Sequence, residues 1–138
     1  MSKVLVGIDC GVNTGFAKVY DGVLREVKTY TIIEAMADLM FYVKNGVQPV
    51  DVKIYIEDAR KRKWFTGGRE KAQGVGSVKR DCQVWQEFCE HYGFEYELVA
   101  PKNNKTKLDD ESFKKLTGWA ERTNEHGRDA AMLIFGRK

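Results

Sequence analysis

Residues 4–8 form an almost uninterrupted apolar run near the N-terminus, and Asp9 follows this run directly. Such a run is typical of a central β-strand that is covered on both faces of a sheet. Residues 53–57 predict a second strand of this kind, which ends at Glu57. A helix predicted between the two, from a capping box at residues 31–34 to Gly46, lets both strands run parallel. We therefore expect Asp9 and Glu57 to emerge at the same edge of one sheet.

The remaining segments complete a mixed α/β pattern. Residues 16–20 and 23–30 predict two further strands, joined by a tight hairpin at Asp21-Gly22, so the chain opens as an antiparallel meander. Apolar residues at helical spacing predict a helix over residues 77–92, capped by Gly93, and then a strand over residues 94–99. A short helix around Phe113 and a closing helix follow. The sequence thus predicts one domain over residues 1–138, with a mixed five-stranded sheet flanked by helices: a three-stranded antiparallel meander plus two parallel strands.

Positive charge is concentrated in two segments of a chain whose formal net charge is only +3. Residues 60–80 carry one acid, Glu70, against eight basic residues: Arg60, Lys61, Arg62, Lys63, Arg69, Lys71, Lys79 and Arg80. Trp64, Phe65 and four glycines lie in the same stretch, so most of residues 60–76 is predicted to be a loop. Residues 101–107 contain three lysines and no acid. Clustered cations indicate a polyanion such as nucleic acid, although a solvated basic face has the same pattern.

The closing helix carries a third potential acidic group. Asn124 or Thr123 can cap this helix, and His126 and Asp129, three residues apart, then share one face. If Asp129 meets Asp9 and Glu57, the three carboxylates repel one another unless a cation binds them. Mg²⁺ prefers oxygen ligands, and two such ions can promote phosphodiester hydrolysis. A carboxylate at a strand end is also often only a helix cap or a hydrogen-bond acceptor in a loop, and a single histidine is often packed or exposed without a catalytic role.

The three cysteines form no CxxC pair, and with only two histidines they indicate neither a zinc site nor a complete disulfide framework. No apolar run reaches the roughly 18 residues of a membrane span. We therefore expect a soluble cytoplasmic protein with reduced thiols.

Three motifs resemble those of one nuclease family. The segment GIDCGVNTG at residues 7–15 resembles the first-strand motif of RuvC-type Holliday-junction resolvases, IYIE at residues 54–57 resembles their second acidic strand, and HGRDA at residues 126–130 resembles their closing helix. The resemblance implies an RNase H-like fold and a homodimer that cuts four-way DNA junctions with two Mg²⁺ or Mn²⁺ ions per site, leaving 5′-phosphates and 3′-hydroxyls. The short chain is similar to the phage-encoded branch, which would act in the host cytoplasm.

The resemblance also implies roles for individual residues. Asp9, Glu57, His126 and Asp129 become the catalytic and metal-binding set, and Trp64 and Phe65 become a wedge at the junction centre. Cys10 departs from the proline of many relatives. The residues expected to contact DNA are Arg60, Lys61, Arg62, Lys63, Trp64, Phe65, Arg69, Lys71, Lys102, Lys105 and Lys107.

Other functions fit parts of the same pattern. The first motif also resembles the phosphate loop of actin-like ATPases and sugar kinases, but those proteins need a second domain and a second phosphate loop. A ribonuclease H acting on RNA–DNA hybrids shares the metal chemistry, and a branched-DNA or flap nuclease shares the fold. A catalytically silent junction-binding protein would have no reason to keep three crowded carboxylates.

Overall fold

The structure, a computed structural model, describes residues 3–61, 69–101 and 108–137, and for residues 69–75 it describes the backbone alone. Within these ranges the chain forms one five-stranded sheet with helices on both faces. The strands are β1 (Val4–Asp9), β2 (Thr14–Tyr20), β3 (Val23–Tyr30), β4 (Val52–Glu57) and β5 (Glu95–Val99). The helices are α1 (Ile32–Lys44), α2 (Arg69–Tyr92), α3 (Asp110–Thr117) and α4 (Glu125–Ile134).

The sheet has the strand order β3-β2-β1-β4-β5, which confirms the predicted mixed sheet. Strands β1, β2 and β3 form the antiparallel meander, while β4 and β5 run parallel to β1. The β2–β3 turn contains Asp21 and Gly22 with φ values of 54° and 74°. Two consecutive positive φ values suit the right-handed twist of a tight hairpin, and glycine adopts them without a steric penalty.

Local signals in the sequence account for most helix ends. The Thr31 side chain accepts a hydrogen bond from the Glu34 amide while the Glu34 side chain accepts one from the Thr31 amide, so the predicted capping box starts α1. Helix α2 ends before Gly93, whose φ of 79° belongs to the left-handed region. Asn124 caps α4 by accepting a hydrogen bond from the Gly127 amide at 3.1 Å, so the cap is Asn124 and not Thr123.

The two faces of the sheet bury separate cores. Val6, Ile8 and Ile54 point toward α1 and α2 and pack with buried residues such as Trp85. Leu5 and the residues that alternate with this first set along the strands point toward α4 and α3. They pack there with Ala130, Ala131, Leu133 and Ile134. Because side chains alternate along a strand, Asp9 and Glu57 lie on the α4 face.

The N-terminal part of α2 corrects one expectation. Residues 60–76 were expected to form mainly a loop, whereas the helix already begins at Arg69 and includes Gly74 and Gly76. A glycine costs a helix only about 1 kcal/mol. The second half of α2 buries Cys82, Trp85 and Cys89 against the sheet, and this anchoring outweighs the glycine penalty upstream.

No helix in the described ranges is both long enough and apolar enough to cross a membrane.

Candidate active site

Asp9 and Glu57 lie side by side at the same edge of the sheet. They are direct partners in the parallel β1–β4 register, which places neighbouring strands about 4.8 Å apart. Both residues end their strands, and neither is fully buried. The sequence predicted this pairing, and the register confirms that the two carboxylates share one face. Two carboxylates at this spacing repel each other unless a proton, a cation or a hydrogen-bond donor lies close by.

Helix α4 brings His126 directly to Asp9. The His126 Nδ1 and the Asp9 Oδ2 lie 3.2 Å apart, although the residues are 117 positions apart in sequence. An ionised carboxylate only accepts hydrogen bonds, so with Asp9 ionised the Nδ1–H of His126 is the donor of this bond. The Asp9 side chain is only 14% exposed and that of His126 is 37% exposed, so the histidine forms the open side of the pair. Its Nε2 lies 3.9 Å from the Glu125 Oε1 on the same helix.

Three glycines allow α4 to lie close to the sheet. A Cβ atom at Gly15 would be 1.9 Å from the His126 carbonyl oxygen, and one at Gly7 would be 2.1 Å from the Ala130 carbonyl oxygen. On the helix side, a Cβ at Gly127 would be 3.0 Å from a Val27 methyl group. A larger residue in place of Gly7 or Gly15 would therefore push the helix, and His126 with it, away from Asp9. Sequence reasoning missed this function of the glycines.

The turn after Asp9 has its own restraint. The buried Thr14 hydroxyl donates a hydrogen bond of 2.8 Å to the Gly11 carbonyl, which closes the turn between β1 and β2. Cys10 packs beneath this turn, close to Cys82 of α2. The pKa of Cys10 is raised well above its ordinary value. The hydrogen bond between the two thiols is the largest cause, and burial of Cys10 is the second. Cys10 is therefore a neutral, packed group in the position where the resolvase resemblance expects proline.

Asp129 follows His126 by three residues on α4 and is partly buried. It takes part in an interaction of its own. Among the described residues, no three histidine, cysteine or acidic side chains already stand close enough together to enclose a metal ion. The donor set nevertheless fits a hard divalent cation, because Asp9, Glu57 and Asp129 supply carboxylate oxygens and the Asp9–Glu57 register crowds two negative charges.

Two of the predicted DNA contacts already have protein partners. Arg60 donates to both carboxylate oxygens of Asp58, at 2.8 and 3.1 Å. Lys61 Nζ donates to the Leu98 carbonyl at 2.8 Å. Asp58 alternates with Glu57 along the chain and so points to the opposite face, where Arg60 connects it to Gln86 of α2.

The other predicted DNA contacts fall where the structure describes no side chain. Arg69 and Lys71 lie in the first turn of α2, where the backbone alone is described. The remaining seven lie outside the described residues: Arg62, Lys63, Trp64, Phe65, Lys102, Lys105 and Lys107.

The motif HGRDA contains a further residue with a structural role. Arg128 Nε donates to the Leu108 carbonyl at 2.9 Å, and its Nη1 donates to the Thr123 carbonyl at 3.0 Å. Leu108 directly follows the lysine-rich residues 102–107. Arg128 therefore ties the end of that basic segment to the helix that carries His126 and Asp129. The sequence alone gave no signal for this contact, because both acceptors are backbone carbonyls.

The apolar stripe that predicted α2 packs largely within this chain. Cys82, Trp85, Phe88 and Cys89 are buried in the core against β1 and β4. Tyr92 remains 43% exposed at the helix end.

Comparison with known proteins supports the fold. No protein-family model and no curated protein matches the sequence. Among solved structures, RuvC from T. thermophilus in complex with a Holliday-junction substrate aligns with 96% of this chain and 90% of its own, at a TM-score of 0.56 and 16% identity. A Cas12f1–sgRNA–target DNA complex aligns with 98% of this chain and 50% of its own, at a TM-score of 0.47 and 14% identity. The chain therefore has the RNase H-like fold seen in the T. thermophilus RuvC structure.

Proposed function

We propose that this protein is a divalent-metal-dependent endonuclease that cuts branched DNA, with the four-way junction as its principal substrate. The observation that carries the proposal is the edge where Asp9 is the register partner of Glu57 and also accepts a hydrogen bond from His126. Two adjacent carboxylates, one of them in contact with a histidine, form an arrangement suited to metal-dependent catalysis. The RuvC comparison and the motif order support the same function.

The proposed roles follow from the chemistry of each side chain. Asp9, Glu57 and Asp129 would hold Mg²⁺ or Mn²⁺ through their oxygens, with two ions per site. When bound, such ions lower the pKa of an attacking water and stabilise the leaving oxygen of a phosphodiester. His126 is held by Asp9 with Nδ1 protonated, which orients the ring and leaves Nε2 able to accept a proton at the open side of the site. Cleavage would leave a 5′-phosphate and a 3′-hydroxyl.

Substrate binding is assigned to the two basic segments. One follows β4 and the other follows β5, and these strands are hydrogen-bonded neighbours whose ends lie at the edge that carries Glu57. Both segments therefore start beside the proposed site. Trp64 and Phe65 are proposed to stack on bases that are unpaired at the branch point. The basic side chains would supply affinity that falls with salt concentration.

Two copies of the chain would cut a four-way junction symmetrically, so we also propose a homodimer. Light scattering at micromolar concentration tests this directly, with a mass twice that of the 15.8 kDa chain as the expected result. A monomeric mass, both alone and with junction DNA, would contradict the dimer. A phage origin and action in a host cytoplasm belong to the same proposal.

The function is tested with four labelled substrates under Mg²⁺: a synthetic four-way junction, a flap, a linear duplex and an RNA–DNA hybrid. We expect paired nicks in the junction and little cutting of the linear duplex. Cutting of the hybrid alone would replace the proposal by a ribonuclease H. Binding of the junction without nicks in Mg²⁺ or Mn²⁺ would indicate a junction-binding protein instead.

A further inference from the structure

An ion pair between a buried carboxylate and a half-buried arginine directly follows Glu57. Asp58 is the next residue, and it is 2% exposed. Its Oδ1 accepts hydrogen bonds from the Arg60 amide at 3.0 Å and from Arg60 Nε at 2.8 Å, while its Oδ2 accepts one from Arg60 Nη2 at 3.1 Å. These three bonds close the chain into a tight turn just after the proposed catalytic carboxylate.

The same guanidinium connects this turn to two other elements. Arg60 Nη2 also donates to Gln86 Oε1 of α2 at 2.7 Å, and Gln86 Nε2 donates to the Tyr96 hydroxyl of β5 at 3.3 Å. The backbone of the turn is held as well, because the Asp58 amide donates to the Val99 carbonyl at 2.8 Å. On the other side, the Cys82 thiol donates to the Glu57 carbonyl at 3.4 Å. The end of β4 is thus fixed between α2 and β5.

The energetics favour keeping Arg60 in this pair. A buried carboxylate that loses its partner is left with an uncompensated charge, which is strongly unfavourable. The hydrogen bond to Asp58 is also the largest cause that raises the pKa of Arg60 above its ordinary value. A phosphate could meet the Nε–Nη2 edge of this guanidinium only by breaking the two-point contact with Asp58, so Arg60 is poorly placed for a bidentate phosphate contact.

We infer that Arg60 is a positioning residue, which holds Glu57 in register with Asp9 through its two-point contact with Asp58 and does not serve as a phosphate ligand. The inference rests on the proposed function for the role of Glu57, and it replaces the expectation that Arg60 contacts DNA. Lysine cannot reproduce the contact, because a single ammonium lacks the planar fork that meets both carboxylate oxygens.

The choice of variants separates positioning from DNA contact. Arg60→Lys keeps the positive charge and loses the fork, Arg60→Gln loses both, and Asp58→Asn keeps the shape and releases the arginine. Arg25→Lys, at an exposed position on β3, is the matched control for the Arg-to-Lys exchange. Gln86→Met is a milder variant that removes the α2 contact alone, in case the others unfold. Thermal unfolding establishes which variants are folded before any other comparison.

Three quantities are measured on the full chain: the cutting rate at saturating junction DNA as a function of Mg²⁺, the junction Kd as a function of salt, and Mn²⁺ binding by calorimetry. For Arg60→Lys and Asp58→Asn we expect about 10- to 100-fold losses in rate or metal affinity, as is typical when a residue supporting a metal ligand is changed. We expect an unchanged junction Kd and salt slope, and wild-type behaviour from Arg25→Lys. Gln86→Met should shift the metal dependence in the same direction by a smaller factor.

Opposite results would overturn the inference. A phosphate contact predicts that Arg60→Lys cuts at the wild-type rate, that Arg60→Gln reduces the salt slope by about 1, and that Asp58→Asn tightens junction binding. Wild-type metal dependence in folded Arg60→Lys and Asp58→Asn would also refute positioning. If the wild-type protein cuts no DNA, the proposed function is refuted but the inference about Arg60 is not. The Mn²⁺ titration then still decides whether Arg60 supports a metal site at Glu57.

Discussion

Replacing Gly15 by alanine tests whether α4 must lie directly on the sheet for the site to form. The new Cβ would be 1.9 Å from the His126 carbonyl oxygen and 3.0 Å from the Asp9 Cβ. The helix would have to move by about 1.5 Å to restore a contact of 3.4 Å, the lower end of ordinary van der Waals separation. The backbone of Gly15 is not in the left-handed region, so this contact is the whole penalty.

The expected consequences of Gly15→Ala are both structural and catalytic. Overpacking of this kind typically costs about 1–3 kcal/mol, which corresponds to a loss of several degrees in Tm for a chain of this size. A shift of this size would also break the 3.2 Å contact between His126 and Asp9. Misplacement by about 1 Å can lower a rate about 100-fold, and we expect a loss of that order in junction cutting.

Gly76→Ala is the matched control, because it makes the same change in a helix where nothing lies within 4 Å of the added atom. This variant should gain up to about 1 kcal/mol of stability and keep the wild-type cutting rate. Thermal unfolding and single-turnover cutting of the junction measure both effects. If Gly15→Ala melts within a degree of the wild type and cuts at the same rate, the close seating of α4 does not control the site.

Three further predictions address other parts of the chain. Hydrogen bonds from the Thr123 hydroxyl and amide lower the pKa of Asp110 to about 2, so its contribution to stability is present above pH 3.8 and is lost as the pH falls toward 2. Chemical unfolding should therefore show Asp110→Asn to be less stable than the wild type at pH 6, with a difference that shrinks below pH 4; a pH-independent difference would contradict this cause. The three cysteines should react with a thiol reagent only on unfolding, because burial keeps the reagent from all three sulfurs and also raises the pKa of Cys89 to about 12; rapid reaction of the native protein would argue against the packing. Alanine at Trp64 and Phe65 should slow junction cutting more than it weakens binding to linear duplex, and equal small effects would exclude a stacking role.

The sheet could be predicted because its signals are local and strong. Apolar runs that end in Asp9 and Glu57, with a capped helix between them, are enough to place two parallel strands with their acids at one edge. The hairpin at Asp21-Gly22 likewise depends on two adjacent residues, and the structure agrees with it.

The structure added features that depend on contacts between distant segments. The sequence prediction started α2 too late, at residue 77, whereas the helix begins at Arg69. Glycines and cations suggest a loop there, and the apolar residues that anchor the helix lie more than two turns downstream. The need for glycine at positions 7 and 15 became clear only once α4 was placed on them. Arg60 belonged to a basic run in the sequence, and only the fold placed it between its near neighbour Asp58 and the distant Gln86. A sequence gives the charge of a side chain but not the partner that neutralises it.

The edge formed by Asp9 and Glu57 is proposed to be a catalytic site and not a structural pair. The direct test compares junction cutting and junction binding for Asp9→Asn and Glu57→Gln, which keep the size of each side chain and remove the charge that a metal requires. Glu95→Gln, which neutralises an exposed acid on β5, serves as the matched control. We predict that both site variants bind the junction with the wild-type Kd and lose detectable cutting, while Glu95→Gln cuts normally. Normal cutting by either folded site variant would remove that residue from the site and contradict the account.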